Sequence, residues 1–170
     1  MNTPHEPSPS PDRAQLHSLW KLVDTLDACF YVKDLDGRYL FVNQALAAAF
    51  GVPAADIIGR TDDQFVDLAA SDIADTDRQA FTKGEKVDTD EMVCLRSGDC
   101  RMFRTVKLPL FDAERRVVGL CGISTDITEQ RRAVEALIER NDLLTTILAN
   151  VDAAIYLKDQ QGRYLYANSP

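Results

Sequence analysis

Histidine is almost missing from this sequence: only His5 and His17 occur, both near the N-terminal edge. A zinc site would have to combine them with cysteines that lack any C-x-x-C spacing, so no structural metal is expected. Cys29, Cys94, Cys100 and Cys121 are scattered. With no apolar signal-peptide core after Met1, they read as reduced thiols in a cytoplasmic protein. No apolar run reaches the roughly 18 residues a transmembrane helix requires, so this stretch is expected to make no membrane contact. Basic residues are a minority as well, with 19 Lys+Arg against 27 Asp+Glu and a net charge of -8. Such a surface repels phosphate backbones, no basic stripe offsets it locally, and nucleic-acid binding is not expected. Also lacking are a Ser-His-Asp set, a Gly-rich phosphate loop, a metal triad, a kinase histidine box and a Gly-Gly-Asp-Glu-Phe signature. These absences exclude the familiar enzyme classes.

What is present is a 170-residue chain with 45% apolar residues, enough for one well-buried core plus extensions. Residues 1–11, MNTPHEPSPSP, hold four prolines and almost nothing apolar, and read as a disordered lead-in. Leu16, Leu19, Trp20, Val23 and Leu26 then recur at helical spacing, predicting an amphipathic helix over about 12–27. Trp20 is its packing anchor, since its neighbours on that face are aliphatic.

Two runs rich in aromatic and β-branched residues flank Asp36-Gly37 and predict a hairpin with strands at 29–34 and 38–42. Short helices follow at about 44–50, 54–58, 62–66 and 68–83, with Gly51 and Gly84 as stop signals. Strands are expected at about 87–95, 101–110 and 116–125. From Asp126 the period changes. Ile127, Val134, Asn141 and Leu148 at a positions place Gln130, Leu137, Leu144 and Val151 at d. This seam predicts a coiled-coil helix over 127–150, about 36 Å long.

The sequence also starts one pattern twice. DACFYVKDLDGRYLFVN from Asp27 matches DAAIYLKDQQGRYLYAN from Asp152 without a gap. A repeat at that distance fits tandem domains joined by a helix, not a solenoid. The second hairpin lacks strands to cover it, so residues 151–170 are expected to be poorly ordered or taken into an intermolecular contact.

YVKDLDGRYLFVNQA, then GRTDDQF, then KLPL followed by GISTDITEQRR, resembles the PAS domain superfamily, in the form common in bacterial sensor kinases and diguanylate cyclases. The resemblance covers about residues 16–130, with the partial copy at 150–170. It implies an α+β fold in which a five-stranded antiparallel sheet of order 2-1-5-4-3 carries short helices on one face, closing a ligand-sized cavity. The implied organisation is a PAS domain over 12–126, a linker helix over 127–150 and the truncated start of a second PAS domain over 151–170. The function implied is that of a sensory module relaying a small-molecule signal to a histidine kinase or diguanylate cyclase effector in the same parent chain. The alternative is an empty dimerisation scaffold whose cavity is filled by Phe65, Phe103 and Leu120.

Cofactor-binding members of the superfamily use an axial histidine in the helical region for haem, or a cysteine there for flavin. No histidine follows His17 and residues 43–85 hold no cysteine, so neither cofactor is expected. By resemblance, strand parity turns Thr89, Glu91 and Val93, Phe103, Thr105 and Lys107, and Leu120, Gly122 and Ser124 toward the cavity. Lys107 and Glu91 are anomalous there, because a buried charge is costly unless paired or used. They form either a partly solvated cross-strand salt bridge or, through Lys107, the grip on an anionic ligand. Glu91 is then the one carboxylate expected in the cavity. Arg60, Asp62 and Asp63 read as helix caps and surface ion pairs. Asp126 and Thr128 sit where similar domains pass signals to the output helix, although Asp126 with Glu129 at capping-box spacing also reads as a plain cap. A homodimer is implied, with Leu16, Leu19, Trp20 and Val23 on the first helix and Val134, Leu137, Asn141, Leu144 and Leu148 on the second.

Overall fold

The computed structural model describes residues 11–168, the side chains of residues 11–17 and of Ala70 excepted. The chain forms two compact units, divided between Ile127 and Thr128. Residues 1–10 of the expected lead-in and the side chain of Leu16 fall outside the described parts, while Pro11 already opens the first helix.

The first unit runs α1 (Pro11–Asp24), β1 (Cys29–Asp34), β2 (Tyr39–Val42), α2 (Gln44–Phe50), α3 (Ala54–Ile57), α4 (Ile73–Lys83), β3 (Val87–Cys94), β4 (Cys100–Phe111) and β5 (Val117–Asp126). The five strands form one antiparallel sheet in the order β2-β1-β5-β4-β3. The stretch expected as one helix over 68–83 is split into a 3-10 turn at Leu68–Ala70 and the α4 helix. Asp67 caps that turn from its side chain, while Ser71 returns to extended backbone. A short polar residue offering a local alternative to the helical ladder is the physical cause of the break.

Alternation sets the inner face of the sheet. In β1 the residues Cys29, Tyr31 and Lys33 are buried and their neighbours are half-buried. Phe103, Thr105 and Lys107 of β4 and Leu120, Gly122 and Ser124 of β5 fall on the same face, as a side-chain period of two requires. The helices pack on that face. In α4 the buried positions are Ile73, Thr76, Asp77 and Ala80, a single stripe at i, i+3, i+4 and i+7. Fully enclosed Tyr39, Ile57, Val66 and Leu120 fill the interior between the layers.

On the opposite face, the Trp20 ring of α1 lies 4.3 Å from that of Phe41, in the anchoring role read from the sequence. Asn43 locks this corner. Its carboxamide oxygen accepts from the backbone of Phe30 at 2.9 Å and of Leu46 at 3.1 Å, capping α2. Its amide donates to the carbonyls of Val23 and Ala28. One buried side chain thus ties the end of α1 to the β1–β2 hairpin.

The second unit contains α5 (Thr128–Ala149), β6 (Tyr156–Lys158) and β7 (Tyr164–Ala167). Its hairpin repeats three of the four bonds at the corner of the first unit. Asn168 accepts from the Ile155 backbone and donates to the carbonyls of Leu148 and Ala153, the counterparts of Phe30, Val23 and Ala28. Asp159 holds the turn through the backbone of Gln161 and Arg163, as Asp34 does through Asp36 and Arg38. The end of α5 therefore stands to β6–β7 as the end of α1 stands to β1–β2. Of the stretch expected to be poorly ordered or taken into an intermolecular contact, residues 156–167 form this hairpin, which three side-chain bonds of Asn168 brace against its own helix.

Candidate functional site

The inner face of the sheet carries a chain of buried charges. Lys107 Nζ lies 3.1 Å from Glu91 Oε2, the pair that strand parity suggested. Lys107 also donates to Asp77 Oδ1 at 2.5 Å and to the Thr76 hydroxyl at 2.6 Å. Asp77 accepts on its other oxygen from Lys33 Nζ at 2.7 Å. Lys33 continues to Asp62 Oδ2 at 2.5 Å, and the Tyr39 hydroxyl donates to Asp62 Oδ1 at 2.5 Å. Thr76 closes the far end by donating to Glu91 at 2.6 Å. Lys33, Lys107 and Glu91 are at most 2% exposed, and no described buried side-chain nitrogen or oxygen lacks a partner.

Two sequence expectations fail here. Glu91 is not alone, since Asp62 and Asp77 share the same interior. Asp62 is no surface cap: it is 8% exposed and holds Lys33 and Tyr39. A 3-10 turn over Asp62–Gln64 buries this carboxylate, while Asp63 pairs outward with the Thr61 hydroxyl. Two signals were available. Asp77 lies on the same helical stripe as Ile73 and Ala80, and Lys33 has the strand parity of Tyr31 and recurs as Lys158 in the second hairpin.

The charges tune one another. Burial would push Lys33 down, but the carboxylates of Asp62 and Asp77 hold it above its usual value. Burial would raise Asp77, and the two ammoniums of Lys33 and Lys107 instead hold it below the usual carboxylate range. Burial, reinforced by the neighbouring carboxylates, lifts the phenols of Tyr31 and Tyr39 well above theirs, so both stay neutral donors. The Lys33 ammonium also sits 4.8 Å from the Tyr39 ring centroid and 5.2 Å from that of Tyr31, a favourable cation–π arrangement.

Beside this network lies a cavity of about 30 Å³, room for roughly two water molecules. Among its lining residues are Tyr31, Lys33, Phe50, Asp62, Glu91 and Phe103. Of the six ligand-contact residues expected, Glu91, Phe103 and Ser124 line it. Lys107, Thr105 and Leu120 are fully buried beneath, Thr105 donating to Ser124 at 2.9 Å. Phe65 does not line the space but stacks on Phe50, which does, with centroids 5.3 Å apart. Gly122 is required, because a Cβ there would fall 2.2 Å from Tyr31 Cζ; the absent side chain lets the Tyr31 ring lie over the strand.

At the end of β5, Asp126 is the register partner of Phe103 and makes a 3.8 Å ion pair with Arg101. These three residues line a wider depression of about 490 Å³, together with Asp24, Asp27 and Gln44. Phe103 faces both spaces, so it physically joins the inner cavity to the Asp126 junction. Thr128 begins α5. Of the expected interface residues, Leu19, Trp20, Val134, Leu137 and Leu144 are exposed, as is Asn141, whereas Val23 and Leu148 are half-buried. Every α5 side chain is at least partly exposed. The expectation of four reduced thiols is corrected: Cys94 and Cys100 form a disulfide, since the β3–β4 register places them directly opposite each other. Only Cys29 and Cys121 are free. Among the described residues no group of three or more His, Cys, Asp and Glu side chains is arranged to hold a metal, and no helix is long and apolar enough to cross a membrane.

A sheet of order 2-1-5-4-3 with short helices over a small cavity bordered by buried charges defines the class of sensory α+β domains to which these features belong. The PAS fold family matches residues 23–132, and the chain belongs to it. It is 33% identical over 129 residues to the methanogenesis regulatory histidine kinase FilI of Methanothrix harundinacea, a match covering 75% of this chain and 14% of the relative. It is 34% identical over 147 residues to a diguanylate cyclase of Vibrio cholerae, covering 84% and 43% respectively. The chain thus spans under half the length of either relative. Among solved structures, a PAS domain from Colwellia psychrerythraea superposes with a TM-score of 0.58 at 21% identity, covering 68% of this chain and 98% of that one. The structure described as VqmA bound to DPO superposes with a TM-score of 0.55 at 26% identity, covering 65% and 57%. This chain is a PAS sensory domain related to those of histidine kinases and diguanylate cyclases.

Proposed function

We propose that the first unit binds a small molecule at its charged cavity and that the change passes through Phe103, Asp126 and Thr128 into α5, toward an effector of the histidine kinase or cyclase type. The observation that carries this reading is the buried network itself. Apolar residues of similar volume would serve stability as well or better than buried ion pairs. Convergent charged groups beside a cavity are the usual mark of a binding site. The relatives supply the context, a regulatory kinase and a cyclase, each longer than this chain. In the proposed arrangement the module acts in the cytoplasm as a homodimer through α1 and α5, and β6–β7 opens a second PAS module.

Lys107 is the proposed contact for an anionic ligand, which has to displace Glu91 or Asp77 to reach it. Calorimetric titration against a panel of small carboxylates tests this. Lys107→Met should abolish binding, and Glu91→Gln should strengthen it by removing a competitor; charge-assisted hydrogen bonds contribute about 1.5–3 kcal/mol each. Unchanged affinity in both variants rejects the role of Lys107.

The small cavity favours a second reading, in which the domain is an empty dimerisation scaffold. Room for roughly two waters admits no ligand until Tyr31 or Phe50 moves. Retention of no small molecule through purification, together with a stable dimer, would support the scaffold over the sensor.

A further inference from the structure

We infer that Cys94 and Cys100 form a reversible thiol–disulfide site, which takes a dithiol of the oxidoreductase class as its reductant and governs how the helical layer is held over the cavity. The pair closes the tip of the β3–β4 hairpin, with Cα atoms 4.0 Å apart. Cys100 is exposed while Cys94 is 3% exposed, so an incoming thiolate meets the Cys100 sulfur and Cys94 is the leaving group. The other two thiols are poor competitors. Cys29 is buried and pushed up to about 11, chiefly by burial, and half-buried Cys121 is raised by the same cause; thiol–disulfide exchange requires the thiolate.

The position of the bond gives the exchange a consequence. The Cys94 carbonyl accepts from the Asp67 backbone at 2.8 Å, and its own N–H donates to Ser71 Oγ at 2.9 Å. Leu95 bridges to Val66, and Arg96 N–H donates to the Phe65 carbonyl. The segment fastened by these bonds carries Phe65, which backs the cavity-lining Phe50, and follows closely on Asp62, the anchor of Lys33 and Tyr39. In reduction one thiolate of the dithiol bonds to the Cys100 sulfur and Cys94 leaves as a thiolate that takes a proton. The second thiol of the reductant then displaces Cys100, so two electrons pass from the dithiol to the pair and the reductant becomes the disulfide. Freed of its crosslink, the hairpin tip frays and loosens its hold on residues 62–71. This inference does not depend on the identity of any ligand.

The 170-residue chain, alkylated after denaturation without reductant and mapped by peptide, should carry label on Cys29 and Cys121 and none on Cys94 or Cys100. Equilibration of the native protein with a graded dithiol buffer should then open the bond while the fold persists. Amide exchange at Val66, Asp67 and Cys94 should accelerate about tenfold on reduction, as expected for local opening short of unfolding. The Cys94→Ser/Cys100→Ser variant should show the faster exchange permanently and ignore the buffer. Label on all four cysteines after mild oxidation, a bond that opens only when the domain unfolds, or exchange rates that do not change on reduction would each overturn the inference. So would a double variant that still responds to the buffer.

Discussion

Asp77 is the residue on which the interior turns, because its two oxygens receive the ammoniums of Lys33 and Lys107. Removing one partner of a buried pair leaves an uncompensated charge at a cost of about 3–5 kcal/mol. Lys107→Met strands Glu91, whose ion pair is with Lys107, and should destabilise the domain by that order in urea unfolding, more than Asp77→Asn, which leaves Lys33 paired with Asp62 and Lys107 paired with Glu91. The same geometry sets a pH window. Asp77, held low by the two lysines, stabilises the fold above the unfolded carboxylate pKa of about 3.9 and loses this as pH falls through its lower folded value. Lys33, held high by Asp62 and Asp77, stabilises it below about 10.4 and loses this as pH rises through its higher folded value. Urea midpoints should be level between about pH 5 and pH 9 and fall on either side. The acid limb should flatten in Asp77→Asn. Gly122→Ala presses on the Tyr31 ring and should cost about 1–3 kcal/mol, as overpacking does; a variant as stable as the parent would mean that Tyr31 is free to move.

At the scale of elements, the helix–hairpin corner is the unit that recurs. Asn43 and Asn168 make the same bonds to a helix end, a turn carbonyl and a strand N–H. In each, one amide hydrogen meets a carbonyl in the last turn of a helix, where intrahelical donors run out, and the other meets a carbonyl of the connection that leads into the strand. Asn168→Ala should release α5 from its hairpin and speed exchange at Ile155 by about tenfold, consistent with part-buried hydrogen bonds each worth about 0.5–1.5 kcal/mol. The α5 helix has a seam of apolar residues in which Val134, Leu137 and Leu144 are roughly half to two-thirds exposed. Polar Asn141 lies among them, where a buried amide selects register at some cost in stability. Asn141→Leu should raise the melting temperature while broadening the distribution of oligomers in sedimentation. A sharp monomer in both proteins would discard the coiled coil.

For the molecule as a whole, the cavity is small and no histidine lines it to ligate a metal-centred chromophore. Fresh protein is expected to show no absorption above about 350 nm, since no histidine follows His17 to ligate a haem and residues 43–85 hold no cysteine for a flavin adduct. A Soret or flavin band in the purified chain would reverse that expectation. Sedimentation of the chain at high micromolar concentration should yield a dimer, the state in which two α5 seams cover each other.

Strand alternation and turn chemistry are local properties, and they were enough to place every strand within a residue or two, to order the elements and to bring Lys107 beside Glu91. The repeat at Asp152 identified β6–β7 for the same reason: identical residues at the turn impose identical backbone bonds. What local pattern does not carry is which polar residues meet across the layers. Asp62 reads as a cap because nothing in GRTDDQF reveals that a 3-10 turn will tip it inward against Lys33. Asp77 falls on the stripe of Ile73 and Ala80, but its two lysine partners are decided only when α4 settles on the sheet with that side down. Cys94 and Cys100 read as separate thiols until the hairpin register sets them face to face. In each case the deciding quantity is a contact between residues distant along the chain, and only the packed tertiary structure, by excluding water from those contacts, turns five ordinary charges into one buried network.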